Sequence, residues 1–366
     1  MKITCKRENL LKGLNIVSRM VKQRATLPVL GNILLSSDKG RLKLSVTDLE
    51  AAVVTWVGAK IDEEGAITLP ARTLLDYVST SSDELISLSA QNSDVAIKSD
   101  RNRATIKGIL AEEFPIIPAV ESSEKVSVEA SALKTAIFST SICAAPDETR
   151  PVLSGILFRV KDGKMLVVAT DSYRLAQRSI ESSSLPKTFA DIIIPQRVAS
   201  ELARILPDDD SAVEISVADN QAQFVCGEVV FISRLIEGSF PDYEQIVPTD
   251  FIYQFEADKS EIVEAIKLAN VFARDIGGNI KLIGEQNRVE IVSVSSQTGD
   301  TATSLEVSSS GKPLTVAFNA RYIMDALNVI NGSRITFAFA GELNPGQITD
   351  NSDQNFKYII MPLRGE

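Results

Sequence analysis

Aspartates, cysteines and one glycine pair are the residues in this sequence whose types and spacing could do chemistry. Asp48 and Asp171 each follow a threonine and lie 123 positions apart. Two carboxylates can work as acid and base on a glycosidic or phosphate ester bond if the fold brings them together. Their recurrence at matched places in a repeating chain fits better a turn or cap, where aspartate accepts hydrogen bonds from the backbone just ahead. Asp208-Asp209-Asp210 follows Pro207 and reads as a solvated turn, since no further metal-ligand pattern accompanies it. Cys5, Cys143 and Cys226 form no pair at metal spacing, and an odd number of scattered thiols fits a reducing cytosol. Gly277-Gly278 lacks the context of a phosphate loop and reads as a flexible connection. The sequence has no histidine at all, which removes the commonest general base, the serine and cysteine dyads and most zinc sites. Catalysis by carboxylates alone, as in a hydrolase, is the enzymatic alternative left open.

The elements that would position these groups repeat. Lys2–Cys5 reads as a strand and leads into a helix with Leu11, Leu14, Val17 and Val21 on one face. Residues 31–37 and 42–46 read as strands joined at Asp38-Lys39-Gly40, a hairpin signal. A second helix begins near Ala71, with Leu74, Leu75 and Val78 at helical spacing. Pro28-Val29-Leu30 returns as Pro151-Val152-Leu153, and Leu69-Pro70-Ala71-Arg72 is echoed by Ile194-Pro195-Gln196-Arg197 and by Phe318-Asn319-Ala320-Arg321. Phe114-Pro115, Phe240-Pro241 and Met361-Pro362 close three copies. First helices are expected near Glu8, Ser131 and Ser260, and second helices near Ala71, Gln196 and Ala320.

A repeat of this length is a self-sufficient domain and not a solenoid unit. The expected organisation is three α+β modules over residues 1–122, 125–248 and 250–366, each with two helices and six to eight strands. Repetition of equal modules serves geometry, such as rings and long surfaces, more readily than a single catalytic cleft. The chain carries −10 overall, yet its six candidate helices together carry +3, leaving −13 for the rest. Net charge is a sum, and only the face that meets a ligand decides what binds there. No run of apolar residues is long enough for an ordinary membrane helix, so a cytoplasmic protein without membrane partners is expected.

With the copies aligned, the chain resembles the bacterial DNA polymerase III beta subunit family of sliding clamps over its whole length. The resemblance is carried by Leu27-Pro28-Val29-Leu30-Gly31-Asn32, Ala169-Thr170-Asp171-Ser172-Tyr173-Arg174-Leu175, Gly238-Ser239-Phe240-Pro241-Asp242-Tyr243 and Tyr358-Ile359-Ile360-Met361-Pro362-Leu363-Arg364. It implies a non-enzymatic processivity factor that needs no cofactor or metal. Two copies would close head to tail as a homodimeric ring of six modules around duplex DNA, helices lining the hole and curved antiparallel sheets forming the rim. The implied partners are DNA of any sequence, a second copy, a clamp loader, the replicative polymerase and other enzymes bearing a clamp-binding peptide. A protein-interaction scaffold of the same fold, with no DNA in its hole, is the other reading.

The resemblance also assigns residues. Arg24, Arg72, Arg150 and Arg197 are the expected DNA-facing cations, making few long-range phosphate contacts so that sliding is not impeded. A partner-peptide pocket is expected from Leu153, Thr170, Ser172, Tyr173, Arg174, Leu175, Pro241, Ile246, Ile359, Met361, Pro362 and Leu363, an adaptable apolar surface for a leucine or phenylalanine anchor. Tyr173 and Gln245 stand where relatives carry histidine and arginine, which bears on the preferred peptide. The ring contact is expected to set Ala104 and Ile106 of one chain against Val271 and Phe272 of the other.

Overall fold

The computed structural model describes every residue except 22–26, 121, 123, 148, 188 and 364–366. The first third of the chain runs β1 (Lys2–Lys6), α1 (Arg7–Val17), β2 (Asn32–Asp38), β3 (Arg41–Thr47), β4 (Ala51–Val57), β5 (Ala59–Glu63), β6 (Ala66–Pro70), α2 (Ala71–Thr80), β7 (Leu85–Gln91), β8 (Asp94–Lys98) and β9 (Arg103–Lys107). The middle third repeats the order as β10 (Lys125–Glu129), α3 (Ala130–Ser141), β11 (Gly155–Lys161), β12 (Lys164–Thr170), β13 (Arg174–Glu181), β14 (Ile192–Pro195), α4 (Gln196–Ile205), β15 (Ala212–Ala218), β16 (Gln221–Cys226) and β17 (Val229–Arg234). The last third gives β18 (Tyr253–Asp258), α5 (Lys259–Ala273), β19 (Asn279–Glu285), β20 (Arg288–Ser295), β21 (Gly299–Glu306), β22 (Ser308–Gly311), β23 (Leu314–Asn319), α6 (Ala320–Val329), β24 (Arg334–Phe339), β25 (Gly346–Asp350) and β26 (Asp353–Ile360). The six helices begin within a residue of where the sequence puts them. Among the described residues the outer thirds have nine strands each, more than expected, because short strands β5 and β22 add to one edge of a sheet.

The chain packs as two compact units, residues 1–131 with 201–235, and residues 132–200 with 236–366. The cut passes through the middle third, and strand pairing explains why. In the first unit an eight-stranded sheet runs β10-β15-β16-β17-β4-β3-β2-β6, so β17 of the middle third pairs antiparallel with β4 of the first third, Ser233 opposite Ala51. A five-stranded sheet, β5-β1-β7-β8-β9, completes that unit. The second unit has a nine-stranded sheet, β14-β11-β12-β13-β26-β25-β24-β18-β22, in which β13 of the middle third pairs with β26 of the last, Arg174 opposite Ile360. Its four-stranded sheet is β21-β20-β19-β23. Each joint sets the last strand of one module's second sheet against the last strand of the next module's first sheet.

Local chemistry accounts for the elements. Lys39 and Gly40 both have positive φ (49° and 75°) between paired Asp38 and Arg41, the two-residue turn whose twist suits a hairpin. In α5, Ile262, Ala265, Ile266 and Ala269 are buried at helical spacing. Asp258 Oδ1 accepts from Ser260 N at 2.8 Å and Asn319 Oδ1 accepts from Arg321 N at 2.9 Å, capping the starts of α5 and α6. Gly277-Gly278 is a correction to the flexible connection expected from sequence. Gly277 (φ 73°) ends the helical segment, Gly278 N donates to Ala273 O at 2.8 Å, and Gly277 O accepts from Asn319 Nδ2 at 3.0 Å, a fixed C-terminal cap. Among the described residues no helix is long and apolar enough to cross a membrane.

Gly13 shows how tightly α1 sits on its sheet. A Cβ there would lie 2.7 Å from Val57 Cγ2 and 2.8 Å from Leu44 Cδ1, both fully or nearly fully buried side chains. Gly13→Val is expected to lower stability by about 1–3 kcal/mol through overpacking, read as a fall in the denaturant midpoint at unchanged slope.

Candidate functional site

The expected pocket residues fall within the second unit, and the Thr-Asp turn between β12 and β13 organises them. Thr170 Oγ1 donates to Arg174 O at 2.8 Å and accepts from Ser172 N at 3.1 Å. Asp171 Oδ1 accepts from the backbone N–H groups of Tyr173 at 2.9 Å and Arg174 at 3.0 Å. Ser172 is held at φ 78°, a conformation that serine rarely adopts. The Thr47-Asp48 turn of the first unit has the same skeleton: Thr47 Oγ1 to Ala51 O at 2.8 Å, Asp48 Oδ1 from Glu50 N and Ala51 N at 3.1 and 2.9 Å, and Leu49 at φ 76°. Both aspartates are thus turn-formers, the structural role expected of them.

The two turns differ in what they display. At Arg174, where the first unit has Ala51, a buried guanidinium donates Nε to Asp171 Oδ2 at 3.0 Å and Nη1 to Asp325 Oδ2 at 2.5 Å, and lies over the Tyr322 ring at 4.4 Å. Burial acts to lower the Arg174 pKa, but the Tyr358 hydroxyl beside it and the Asp325 hydrogen bond raise it overall, so the cation persists. Tyr173 is 58% exposed and stacks on Tyr322 with centroids 6.5 Å apart. The C-terminal segment is laid against this shelf: Met361 N donates to Tyr173 O and Leu363 N to Ala317 O, both at 2.8 Å.

Beneath lies an apolar cluster of Leu157, Val168, Leu175, Ile193, Phe240, Tyr243 and Ile359. Leu175 and Ile359 are therefore floor residues. Leu153 and Thr170 are also buried, Met361, Pro362 and Leu363 are half-buried, and Pro241 and Ile246 are exposed at the rim. Tyr322, Asp325 and Ala317 were not legible as site residues. They sit on β23 and α6, more than 140 residues beyond the turn, and only the sheet joint brings them to it.

Of the expected DNA-facing cations, Arg24 lies outside the described residues. Arg72 is exposed at the start of α2, 3.7 Å from Asp76. Arg197 is exposed at the start of α4, and Arg321 occupies the same place on α6, 81% exposed and 3.9 Å from Asp325. Arg321 was not among the expected residues, although it completes the threefold echo of Arg72 and Arg197. Arg150 donates Nη1 to Ser172 Oγ at 2.9 Å, so the structure joins it to the pocket turn. On the expected ring contact, Ala104 is half-buried and Ile106 buried on β9, a sheet-end strand. Val271 is 56% exposed at the end of α5, and the Phe272 ring reaches within 3.7 Å of where a Cβ on Gly299 of β21 would stand.

Asp171→Ala is expected to cost about 3–5 kcal/mol, since it leaves a buried guanidinium short of one partner as well as two backbone donors. Asp48→Ala, at the turn with Ala51, is expected to cost less, and equilibrium denaturation of the two variants side by side compares them.

The models of the DNA polymerase III beta subunit match this chain for its N-terminal domain at residues 1–118, its central domain at 127–242 and its C-terminal domain at 244–364. A beta sliding clamp of Caulobacter vibrioides is 30% identical over 371 residues, covering all of both chains. Among solved structures, the DNA polymerase III beta subunit of Pseudomonas aeruginosa matches with a TM-score of 0.95 at 30% identity, and the sliding clamp of Bacillus subtilis with 0.94 at 27%, each covering all of both chains. A family match along every third of the chain, on a fold that repeats three times, has one meaning: the chain belongs to the DNA polymerase III beta subunit family, the sliding clamps of DNA replication.

Proposed function

We propose that two copies of this chain close head to tail into a ring of six modules, residues 1–122, 125–248 and 250–366 of each, that encircles duplex DNA without catalysing a reaction on it. The observation that carries this is the series of strand joints. Within the chain, β4 pairs with β17 and β13 pairs with β26. The next members of the series are β21, at the end of the four-stranded sheet, and β9, at the end of the five-stranded sheet. Continuing the pattern sets β21 of one chain beside β9 of another, twice over, which closes the ring and removes both open edges. Val271 and Phe272 stand next to β21, and Ala104 and Ile106 lie on β9, which suits an apolar contact flanking the new ladder. Retention on DNA would then be topological, with Arg72, Arg150, Arg197 and Arg321, together with Arg24, supplying weak cationic attraction.

Electron microscopy at a concentration favouring assembly should give six-lobed rings with an open centre, and sedimentation should give a dimer. Compact, monomeric particles at every concentration would overturn the ring. Retention on closed circular DNA and loss from linear DNA separates a clamp from an interaction scaffold. Arg24→Glu with Arg150→Glu is expected to weaken loading at several salt concentrations while the dimer persists. Undiminished loading would remove these cations from the DNA-facing set.

The pocket of the second unit is assigned to the linear peptides of the replicative polymerase, the clamp loader and other DNA enzymes. Its buried floor, half-buried Met361–Leu363 rim and exposed Tyr173 suit a peptide with an aliphatic or aromatic anchor. Met361→Ala, or removal of residues 361–366, is expected to abolish peptide binding by fluorescence anisotropy with the dimer intact. Full affinity after truncation would refute the assignment.

A further inference from the structure

At one station in the repeat the three modules are built differently. In the first, Asp83, just before β7, ties its loop to the β8–β9 turn by accepting from Ser99 Oγ, from Asn102 Nδ2 at 3.0 Å and from Arg101 N at 3.4 Å. In the last, Asp350, at the end of β25, ties the β25–β26 turn to the loop entering β24 by accepting from Gly332 N at 2.8 Å and from Ser352 N and Oγ at 2.8 and 2.6 Å. Both carboxylates are nearly buried, at 6% and 5% exposure. In the middle module the aspartate at this loop position, Asp210, accepts from Ser131 Oγ at 3.5 Å and its neighbour Asp209 from Ser211 N at 2.9 Å. Cys226 stands at the hairpin position of Asp350, and the loop entering β15 and the β16–β17 turn wall a cavity of 280 Å³.

We propose that this cavity is a binding site for a small, uncharged aromatic molecule. Its walls are Ile16, Leu202, Ile205, Phe224, Val229 and Phe231, with Leu206, Pro207 and Gly227 completing the apolar surface. Among the described residues no charged side chain lines it, and its polar side chains are the Ser211 hydroxyl and the Cys226 thiol. A charged ligand would therefore lose its hydration without compensation, whereas an aromatic ring meets Phe224 and Phe231, themselves edge to face at 6.4 Å. An apolar cavity of about 150 Å³ holds a benzene molecule, so the larger volume here has room for a bicyclic ring. Ile16 belongs to α1 and the remaining walls to the middle module, so an occupant bridges the two. The Cys226 thiol is half-buried, and burial first, with the Asp209 charge second, pushes its pKa up. Cys226 thus reacts slowly with alkylating reagents and reports occupancy through that rate.

Indole is the probe, with iodoacetamide labelling of Cys226 as the readout, because Cys5 and Cys143 are buried. At about four times its Kd, indole is expected to slow Cys226 labelling about fivefold, since only the empty protein reacts, and to raise the melting temperature by about 2 °C. Val229→Trp fills the cavity and is expected to abolish both effects. If that variant fails to fold, Cys226→Ser keeps the cavity and must retain the indole-dependent melting shift. Unchanged labelling and melting at saturating indole would overturn the site, as would equal protection in folded Val229→Trp or loss of the shift in Cys226→Ser.

Discussion

Every strand at the end of a sheet carries a row of backbone donors and acceptors that must find partners in protein or in water. That constraint shapes this molecule more than any single side chain. Ser233 opposite Ala51 and Arg174 opposite Ile360 lie in the joints where modules meet, and these joints are antiparallel ladders of the same kind as those inside a module. Pairing across module borders is the reason that the compact units cut through the middle third. It also leaves β9 and β21 as end strands that pair with no other module of the same chain.

The residues of the expected pocket meet at such a joint. The β13–β26 ladder brings the C-terminal segment alongside the Thr170–Arg174 turn and lets Met361 N reach Tyr173 O. The β17–β4 ladder does the same in the first unit, where Arg234 N donates to Glu50 O at 2.9 Å. The backbone solution is shared, and the side chains make the difference. Arg174, Tyr173 and Met361 stand where the other joint has Ala51, Glu50 and Arg234. A buried guanidinium between Asp171 and Asp325 fixes α6 to the turn, and Tyr322 stacks above it. Repetition supplied the scaffold twice, and substitution gave the second joint its own set of side chains.

Much of this was legible in the sequence because it is local. Helix starts follow from apolar spacing and from the repeated strings at residues 69–72, 194–197 and 318–321. The Asp38-Lys39-Gly40 turn follows from residues that tolerate positive φ. The turn role of Asp48 and Asp171 follows from the reach of an aspartate to N–H groups two and three residues ahead. The short strands β5 and β22 were not legible, since each is an edge addition whose pairing depends on a distant neighbour. The role of Gly277-Gly278 was misread for a related reason. Two adjacent glycines look like slack in a sequence, but here both hold positive φ, Gly278 is bonded to Ala273 and Gly277 to Asn319.

By itself, the sequence determined the threefold repeat, the helix starts within it and the turn role of Asp48 and Asp171, because periodicity, turn chemistry and repeated strings are written in consecutive residues. Only the tertiary structure decided that Arg174 is shared between Asp171 and Asp325, that Arg150 is bonded to Ser172, and that the middle module has an apolar cavity beside Cys226. Each of these depends on which side chains meet across a sheet joint or a helix–sheet contact. Such meetings are set by strand register and packing between segments far apart in the chain, which residue order alone does not encode locally.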